Sequence, residues 1–230
     1  MSLFDLPPVP DVPVKGESEG YPVRRIFCVG RNYAAHAAEM GNEVDREAPF
    51  YFTKSPAHLV LSGAALPYPP GTSDYHHEME FVVALGAPVF RCSREEAQAA
   101  VYGYACGLDM TRRDLQGAAK DKRRPWSLGK DVEGAAVIAE ITKAAEFGEV
   151  AGQKISLTVD GTTRQDATLA ELIHSVTDVI VHLSGFYHLG AGDLIYTGTP
   201  AGVGAVSAGA ELEGHVDGLA PVMLKLTAPE

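Results

Sequence analysis

Residues 75–86 read YHHEMEFVVALG, which sets two acids directly beside an apolar run. The run MEFVVALG is rich in β-branched residues, and its continuous apolar character predicts a strand buried on both faces. Residues two apart in a strand share a face, so Glu78 and Glu80 are expected to point the same way. Two neighbouring carboxylates repel, and burying them without a partner is costly. The stretch therefore calls for a group that neutralises both acids.

A divalent cation is one such group. Asp109 ends a second predicted buried strand, YGYACGLDMT (residues 102–111), and it could supply a third carboxylate oxygen. Three carboxylates suit Mg²⁺, Mn²⁺ or Ca²⁺, which prefer oxygen ligands. The alternative is a polar sheet face, the commoner setting for an E-x-E pair, although the apolar run argues against it. His76 and His77 gain no ligand role from their spacing.

A histidine and a glutamate mark a second candidate site. His36 and Glu39 lie three residues apart in the Ala-rich stretch NYAAHAAEM (residues 32–40), which favours a helix. The spacing puts both side chains on one helix face. A carboxylate bonded to imidazole orients the ring and raises its basicity, as a general base acting on water requires. The alternative is an exposed pair without a catalytic role.

Composition limits the partners and the compartment. The chain has 230 residues and a formal net charge of -11, which argues against nucleic acid as a partner. The three cysteines form no C-x-x-C pair, which favours a reducing compartment without disulfides. The N-terminus has no signal-peptide pattern, and no apolar run is long enough to span a membrane. We therefore expect a cytoplasmic protein without a membrane partner.

Periodicity predicts a β-rich α+β fold. Residues 1–22 are rich in proline and are expected to form an extended leader on the surface, followed by a single domain at residues 23–230. Strands and a β-hairpin are predicted through most of that domain. Helices are predicted at 32–40, 93–100, 112–122 and 168–189, the last broken near Ser175. Such a mixture favours α+β over a regular βαβ alternation.

The glycine-rich segment LIYTGTPAGVG (residues 194–204) is a candidate anion site. It lacks the spacing of a nucleotide-binding P-loop, and no clear helix follows it. Backbone N–H groups and threonine hydroxyls in such a turn can receive a substrate carboxylate.

Six motifs in order resemble the fumarylacetoacetate hydrolase family. They are VGRNYAAHAAEMG (29–41), FTK (52–54), HHEMEFVVALG (76–86), GYACGLDMTRRDLQ (103–116), RPWSLGKDVEGAA (124–136) and GDLIYTGTPAGVG (192–204). The chain looks most like the branch that cleaves fumarylpyruvate in gentisate degradation, and the acylpyruvase branch is close. The resemblance implies a roll of mixed β-sheets of the family's C-terminal-domain type, with flanking helices and assembly as a homodimer.

The resemblance also implies roles for individual residues. Glu78, Glu80 and Asp109 match the carboxylates that hold Mg²⁺ or Mn²⁺, with Ca²⁺ a possible occupant in a crystal. His36 and Glu39 match the water-activating dyad, and Lys130 matches the lysine beside the metal. The positions that match substrate-contacting residues are Arg113, Gln116 and Thr199. Two further residues, Arg31 and Asn32, are expected to shape the pocket.

The implied reaction is hydrolysis of a C–C bond. A 3-acylpyruvate, itself a small anionic 2-oxo acid, would bind the metal through its carboxylate and 2-oxo group. The dyad of His36 and Glu39 would activate water for attack at C4, and Lys130 would stabilise the pyruvate enolate. Arg113 would neutralise an acidic end of the substrate. The alternative is oxaloacetate decarboxylation, which has less need of the dyad, or another lyase or isomerase reaction of a 2-oxo acid.

Overall fold

The structure is a computed structural model that describes residues 3–5, 7–39 and 46–230. The described chain forms many short strands and a few helices. In chain order, strands β1 to β18 are Asp11–Val12, Tyr21–Pro22, Arg25–Gly30, Phe50–Lys54, Leu59–Leu61, Ala64–Pro67, Tyr75–His77, Met79–Leu85, Val101–Asp109, Thr111–Arg112, Ala136–Ile138, Thr142–Lys143, Lys154–Val159, Thr162–Thr168, Asp193–Tyr196, Gly204–Val206, Glu211–Val216 and Val222–Thr227. Helices α1 to α6 are Ala34–Glu39, Arg94–Ala99, Arg113–Asp121, Ser127–Lys130, Ala144–Phe147 and Val176–Ser184.

The strands form one large mixed sheet and three smaller sheets. The eight-stranded sheet runs β4-β3-β15-β8-β9-β11-β5, with β12 paired to β9. A five-stranded sheet runs β14-β13-β17-β18-β6, a three-stranded sheet runs β10-β7-β16, and β1 pairs with β2. Strands β8 and β9 are antiparallel, with Glu80 opposite Gly107. The β-rich α+β fold expected from the sequence is therefore confirmed.

Strand β8 is buried along its whole length, as its apolar sequence predicts. Phe81 and Val83 belong to the larger core cluster, which also contains the inner residues of the five-stranded sheet. Val82 and Ala84 belong to a second cluster, on the opposite face of the large sheet. Because side chains alternate along a strand, Glu80 lies on the face of Val82 and Ala84. The Glu80 carboxylate is therefore buried on the same face of β8 as two apolar side chains.

The helices predicted over residues 93–100 and 112–122 are confirmed. Ser93 and Glu96 form the predicted capping box of α2, and α3 falls inside the predicted 112–122. The predicted helix over residues 168–189 is wrong in its extent, because only Val176–Ser184 is α-helical. The break predicted near Ser175 is confirmed, because Ser175 is the N-cap of that helix and its hydroxyl accepts from the N–H of Asp178. The prediction over 32–40 agrees with α1, while Met40 lies outside the described residues.

The N-terminal leader differs from the surface segment that the sequence predicts. Val12, Val14 and Tyr21 are buried and belong to the second core cluster. The Tyr21 hydroxyl lies 2.7 Å from the carbonyl oxygen of Leu85 and 3.0 Å from that of Asp193, so its one hydrogen has an acceptor in the buried sheet. The proline-rich composition hid this packing, because its few apolar residues show no clear period. The boundary between leader and domain stays a prediction.

Within the described ranges, the helices are all too short or too polar to cross a lipid bilayer.

Candidate active site

Three buried carboxylates meet at one edge of the large sheet. Oxygen atoms of Glu78, Glu80 and Asp109 all lie within 4.8 Å of one another. Glu80 is in β8 and Asp109 ends β9, whereas Glu78 occupies the single position between β7 and β8. Glu78 is therefore not inside a continuous strand, although its carbonyl oxygen still accepts a hydrogen bond from the N–H of Asp109. The predicted cluster is brought together.

Two of the three carboxylates have cationic partners. The ammonium group of Lys130 lies 2.8 Å from Glu78 Oε2 and 2.7 Å from Asp109 Oδ2. Lys54 lies 2.8 Å from the other Asp109 oxygen, and Arg113 forms an ion pair with Glu78. In the part of the chain that the structure describes, no cationic side chain forms an ion pair with Glu80. Positive charge is thus distributed unevenly over the cluster.

The pKa values follow this distribution. Burial, together with the charges of Asp109 and Glu78, raises the pKa of Glu80 well above its ordinary value. Burial would also raise the pKa of Glu78, but Lys130 and Arg113 hold it below the usual range. For Lys130, the charges of Asp109 and Glu78 overcome the effect of burial and raise the pKa. The cluster keeps Glu78 ionised and leaves Glu80 short of positive charge.

The three carboxylates fit a hard divalent cation. Each offers an oxygen to one small volume, and all are almost inaccessible to solvent. Oxygen ligands of this kind suit Mg²⁺, Mn²⁺ and Ca²⁺, whereas a softer metal would favour thiolate or imidazole. A cation held here would also supply the positive charge that Glu80 lacks.

The histidine–glutamate pair lies beside the same cavity. His36 in α1 is buried and lines the cavity together with Glu78, Glu80 and Lys130. Its Nδ1 atom is 3.4 Å from Glu39 Oε2. The Glu39 carboxylate also accepts hydrogen bonds from the N–H of Gly202, at 3.1 and 3.2 Å. Helix α1 is thereby held against the glycine-rich loop.

His36 is suited to accept a proton at Nε2. Glu39 accepts from Nδ1–H in the neutral ring, which leaves the Nε2 lone pair available. Burial lowers the pKa of His36, and the negative charges of Glu78 and Glu39 only partly oppose that effect. The ring is therefore neutral at physiological pH, as a general base must be.

The glycine-rich loop carries Thr199 to the cavity wall. The backbone N–H of Gly198 donates to Glu80 Oε2 at 2.8 Å. Gly198 has φ +100°, and a Cβ added there would lie 2.8 Å from Asn32 Cβ, so the turn requires glycine. The loop is thus tied directly to one of the three carboxylates.

A model of the fumarylacetoacetate hydrolase C-terminal domain matches residues 25–226. The chain belongs to the fumarylacetoacetate hydrolase family. A fumarylpyruvate hydrolase from Ralstonia sp. is 53% identical over 194 residues, covering 83% of this chain and 100% of that protein. An oxaloacetate tautomerase from Escherichia coli strain K12 is 39% identical and covers 86% of this chain and 90% of its own length.

Solved structures of the family share the fold closely. A fumarylpyruvate hydrolase from Pseudomonas aeruginosa, in complex with Mn²⁺ and pyruvate, superposes with a TM-score of 0.95. It is 42% identical, and the match covers 99% of this chain and 100% of that one. The family resemblance and the β-rich roll expected from the sequence are both confirmed.

Arg113 and Gln116, which the family resemblance predicts to contact substrate, lie together on α3. Arg113 Nη1 donates to Gln116 Oε1 at 2.6 Å, and both side chains line the cavity. Because Arg113 is already ion-paired with Glu78, it neutralises a candidate metal ligand in addition to facing the cavity. A Cβ on Gly129 would lie 2.8 Å from the Gln116 backbone nitrogen, so glycine there permits α4 to pack closely on α3.

Arg31 and Asn32 occupy different positions. Arg31 lines the cavity, with its guanidinium 5.6 Å from the centre of the Phe50 ring. Asn32 is buried beneath the loop, where its amide nitrogen donates to the carbonyl oxygens of His174 and Thr197. Its side-chain oxygen accepts from the N–H of His174. Asn32 therefore supports the cavity wall, and Arg31 alone of the two lines the cavity.

Sequence reasoning missed two buried polar residues at the site. Lys54 is the last residue of β4, whose sequence is FYFTK. Its position in the motif FTK was the one sequence feature that could have marked it as part of the site. Gln165 is the one fully buried member of β14, a strand whose sequence TTRQDAT otherwise reads as polar. Neither position stands out by spacing, because each gains its role from segments distant in sequence.

Proposed function

We propose that this chain is a divalent-metal-dependent hydrolase that cleaves a 3-acylpyruvate, with fumarylpyruvate as its main substrate. The observation that carries the proposal is the single cavity lined by His36, Glu78, Glu80 and Lys130. A water-activating base and a carboxylate cluster fit for a metal thus share one reaction space. The Ralstonia relative and the Pseudomonas aeruginosa structure support the same activity.

Glu78, Glu80 and Asp109 would hold the cation, and we propose Mg²⁺ or Mn²⁺ as the physiological ion. When bound, the ion supplies Lewis-acid polarisation of the 2-oxo group of the substrate. Thr199 receives the adjacent substrate carboxylate. Lys130 remains protonated next to Glu78 and Asp109, so its charge favours the negative charge that develops on the pyruvate fragment.

His36 activates the attacking water. Its Nε2 atom takes one proton from water while Glu39 holds Nδ1–H, and the oxygen of that water adds to C4 of the substrate. The C3–C4 bond then breaks, and its electron pair stays with C3. C3 is finally protonated to give pyruvate, and C4 becomes the carboxylate of the released acid. One acylpyruvate and one water therefore give pyruvate and one carboxylic acid.

Positive side chains favour a substrate whose acyl end is also acidic. Arg31, Arg113 and Lys120 line the cavity beside the aromatic ring of Phe50. Burial, together with the charges of Arg31 and Arg113, lowers the pKa of Lys120. Neither Arg31 nor Lys120 forms a salt bridge with an acidic residue in the described ranges. An anion between them would relieve the repulsion, which favours a fumaryl group over an acetyl group.

A second candidate activity is conversion of oxaloacetate, by tautomerisation or decarboxylation. It is favoured by the Escherichia coli relative, which is an oxaloacetate tautomerase. Such reactions pass through enol forms of a 2-oxo acid and need no attacking water. The pair of His36 and Glu39 favours hydrolysis over decarboxylation, because activation of water requires a positioned base and loss of CO₂ does not.

The discriminating experiment compares fumarylpyruvate, acetylpyruvate and oxaloacetate on the purified, Mn²⁺-loaded protein. Loss of diketo absorbance follows cleavage of the first two substrates. We expect kcat/KM to be highest for fumarylpyruvate, and Lys120→Met to lower it for fumarylpyruvate while changing acetylpyruvate little. The proposal is wrong if fumarylpyruvate is not cleaved while oxaloacetate turns over.

The metabolic pathway, the assembly and the location of the protein are also proposed. Cleavage of fumarylpyruvate would serve gentisate degradation and the catabolism of aromatic compounds. A homodimer, a cytoplasmic location and the lack of nucleic-acid or membrane partners stay predictions. Light scattering on the purified protein measures the first of these.

A further inference from the structure

We infer that Gln165 is a positioning residue that turns the hydroxyl hydrogen of Thr199 toward the substrate carboxylate. The inference rests on the proposed role of Thr199 as the receiver of that carboxylate. It assigns a function to a side chain that lies on the five-stranded sheet.

Gln165 is buried where its neighbours are not. Strand β14 is mostly exposed, yet the Gln165 side chain is completely inaccessible to solvent. It reaches from β14 to the junction of β7 and β8 and to the glycine-rich loop. A buried amide that connects two segments of the candidate site calls for an explanation, because burying it without partners would be costly.

Backbone groups at both ends fix the orientation of the amide. Gln165 Oε1 accepts the backbone N–H of Met79 at 2.9 Å. Gln165 Nε2 donates to the backbone carbonyl oxygen of Pro200 at 2.8 Å. An N–H can only donate and a carbonyl oxygen can only accept, so a flipped amide would lose both bonds. The NH₂ group therefore faces the loop.

This orientation decides what the Thr199 hydroxyl can do. Gln165 Nε2 lies 2.8 Å from Thr199 Oγ1, and an amide NH₂ has hydrogens to donate and no lone pair to accept with. Thr199 Oγ1 is therefore the acceptor, and its own hydrogen is left for another partner. No hydrogen bond among the described residues uses that hydrogen. Because Thr199 lines the cavity, an anionic substrate group is the acceptor that fits.

The same amide fixes Thr199 relative to the metal-binding carboxylates. Met79, whose N–H it receives, lies between Glu78 and Glu80 in the chain. The Nδ1 atom of His77 is 3.3 Å from the same Gln165 oxygen, which gives that histidine a supporting place behind the site. A single side chain thus ties the hydroxyl donor to the backbone of two candidate ligands.

The test measures pyruvate binding to the Mn²⁺-loaded enzyme by calorimetry. Gln165→Met keeps the length of the side chain and removes the donor. We expect its Kd for pyruvate to rise about ten- to a hundredfold, the effect of losing one hydrogen bond to a charged group. With fumarylpyruvate as substrate, KM should rise more than kcat falls, whereas a general loosening of the site would lower kcat.

A double-mutant cycle separates positioning from plain structural support. Thr199→Val should raise Kd by a similar factor, and adding Gln165→Met to it should change Kd less than about twofold. The inference is overturned if the Gln165→Met effect persists unchanged in the Thr199→Val background. It also fails if Thr199→Val leaves Kd unaltered, a result that removes the role of Thr199 without touching the hydrolase activity.

Gln165→Glu provides a second variant should Gln165→Met fail to fold. Ionised glutamate can still accept from the Met79 N–H, and its other oxygen can only accept from Thr199, so the hydroxyl turns away from the substrate; binding is therefore measured over a pH series that extends above the range in which the buried carboxyl is protonated. Kd for pyruvate should rise at least tenfold while Mn²⁺ content and thermal melting show a folded, loaded enzyme. A Kd within twofold of the unsubstituted protein would overturn the inference.

Discussion

Lys54 Nζ lies 2.8 Å from Asp109 Oδ1, and neither side chain is accessible to solvent. The lysine also donates to the carbonyl oxygens of Met110 and Lys130. It thereby links the end of β4 to helix α4, which carries Lys130. Asp109 has a cation on each oxygen, because Lys130 contacts the other one. Both oxygens of Asp109 are therefore compensated by positive charge within the protein itself.

Lys54→Met should destabilise the metal-free protein. Removing Lys54 leaves Asp109 Oδ1 without its cation while Lys130 still pairs with Oδ2, so the free energy of unfolding should fall by about 1–3 kcal/mol. Saturating Mn²⁺ should recover part of that loss, since a ligand of the folded state stabilises it. Urea unfolding with and without a chelator measures both effects. The control is Lys15→Met, which removes an exposed ion pair with Glu146 and should change stability by less than about 1 kcal/mol.

His36→Gln should remove hydrolysis and leave oxaloacetate decarboxylation partly intact. Loss of a general base lowers kcat by about 10²- to 10⁴-fold, whereas decarboxylation of oxaloacetate gives the enolate without an activated water or the removal of a proton by a base. His215→Gln, an exposed histidine paired with Glu213, serves as the matched control and should leave both activities intact. Equal losses of both activities in His36→Gln would contradict the assignment of His36 as the water activator.

The pH dependence of kcat/KM should report the same histidine. Burial lowers the pKa of His36 from the ordinary 6.5, and a base works only when it is unprotonated. Activity should therefore stay constant as pH falls to about 6.5 and decline only below it. Glu39 raises the pKa of His36, so Glu39→Gln should move the decline to still lower pH. A decline that begins above pH 7, or no shift in Glu39→Gln, would speak against this base.

Glu80→Gln should abolish metal binding without unfolding the protein. Burial and the charges of Asp109 and Glu78 raise the pKa of Glu80 in the metal-free folded protein. The folded protein therefore holds this proton at pH values where the unfolded chain has released it, and its stability falls as pH rises through that range. The amide of the variant does not titrate, so this pH dependence should disappear, and its oxygen can still accept from the Gly198 N–H. Metal content after dialysis against Mn²⁺ and thermal melting at several pH values measure both effects. Full Mn²⁺ occupancy in the variant would exclude Glu80 as a ligand.

Gly198→Ala should lower the free energy of unfolding more than Gly209→Ala does. Gly198 and Gly209 have φ +100° and +95°, but only at Gly198 would a Cβ meet another residue, at 2.8 Å from Asn32 Cβ. Gly209→Ala should lower the free energy of unfolding by about 1–2 kcal/mol, because the left-handed backbone strains a residue with a Cβ. Gly198→Ala should lower it further and should also weaken pyruvate binding, as urea unfolding and calorimetry would measure. Equal decreases in the two variants would mean that the loop moves away from Asn32 without strain.

The sequence predicts those features that depend on local pattern. The buried strand at residues 79–86 follows from an unbroken apolar run, and α2 follows from its capping box. The meeting of Glu78, Glu80 and Asp109 could also be expected, because two antiparallel neighbours bring the end of β9 beside the start of β8. These inferences need only periodicity and one strand pairing.

Features that depend on distant segments escape such reasoning. From the sequence, Lys54 is an ordinary strand end; only the pairing of β4 with β3, and of β3 with β15, brings it to the carboxylates. Gln165 is one polar residue in a polar strand; only the contact between the five-stranded sheet and the glycine-rich loop gives it a buried partner. Tyr21 and Val12 read as parts of a proline-rich leader, yet the large sheet offers them an uncovered apolar face. In each case tertiary packing decides the role.

In the proposed reaction, water activated by His36 cleaves the substrate at C4. Cleavage of fumarylpyruvate by the Mn²⁺-loaded enzyme in water enriched in heavy oxygen tests it directly by mass spectrometry of the products. The proposed reaction predicts one solvent oxygen in the new carboxylate of fumarate, and loss of that product in His36→Gln. Fumarate without solvent oxygen, or an undiminished yield in the variant, would contradict the account.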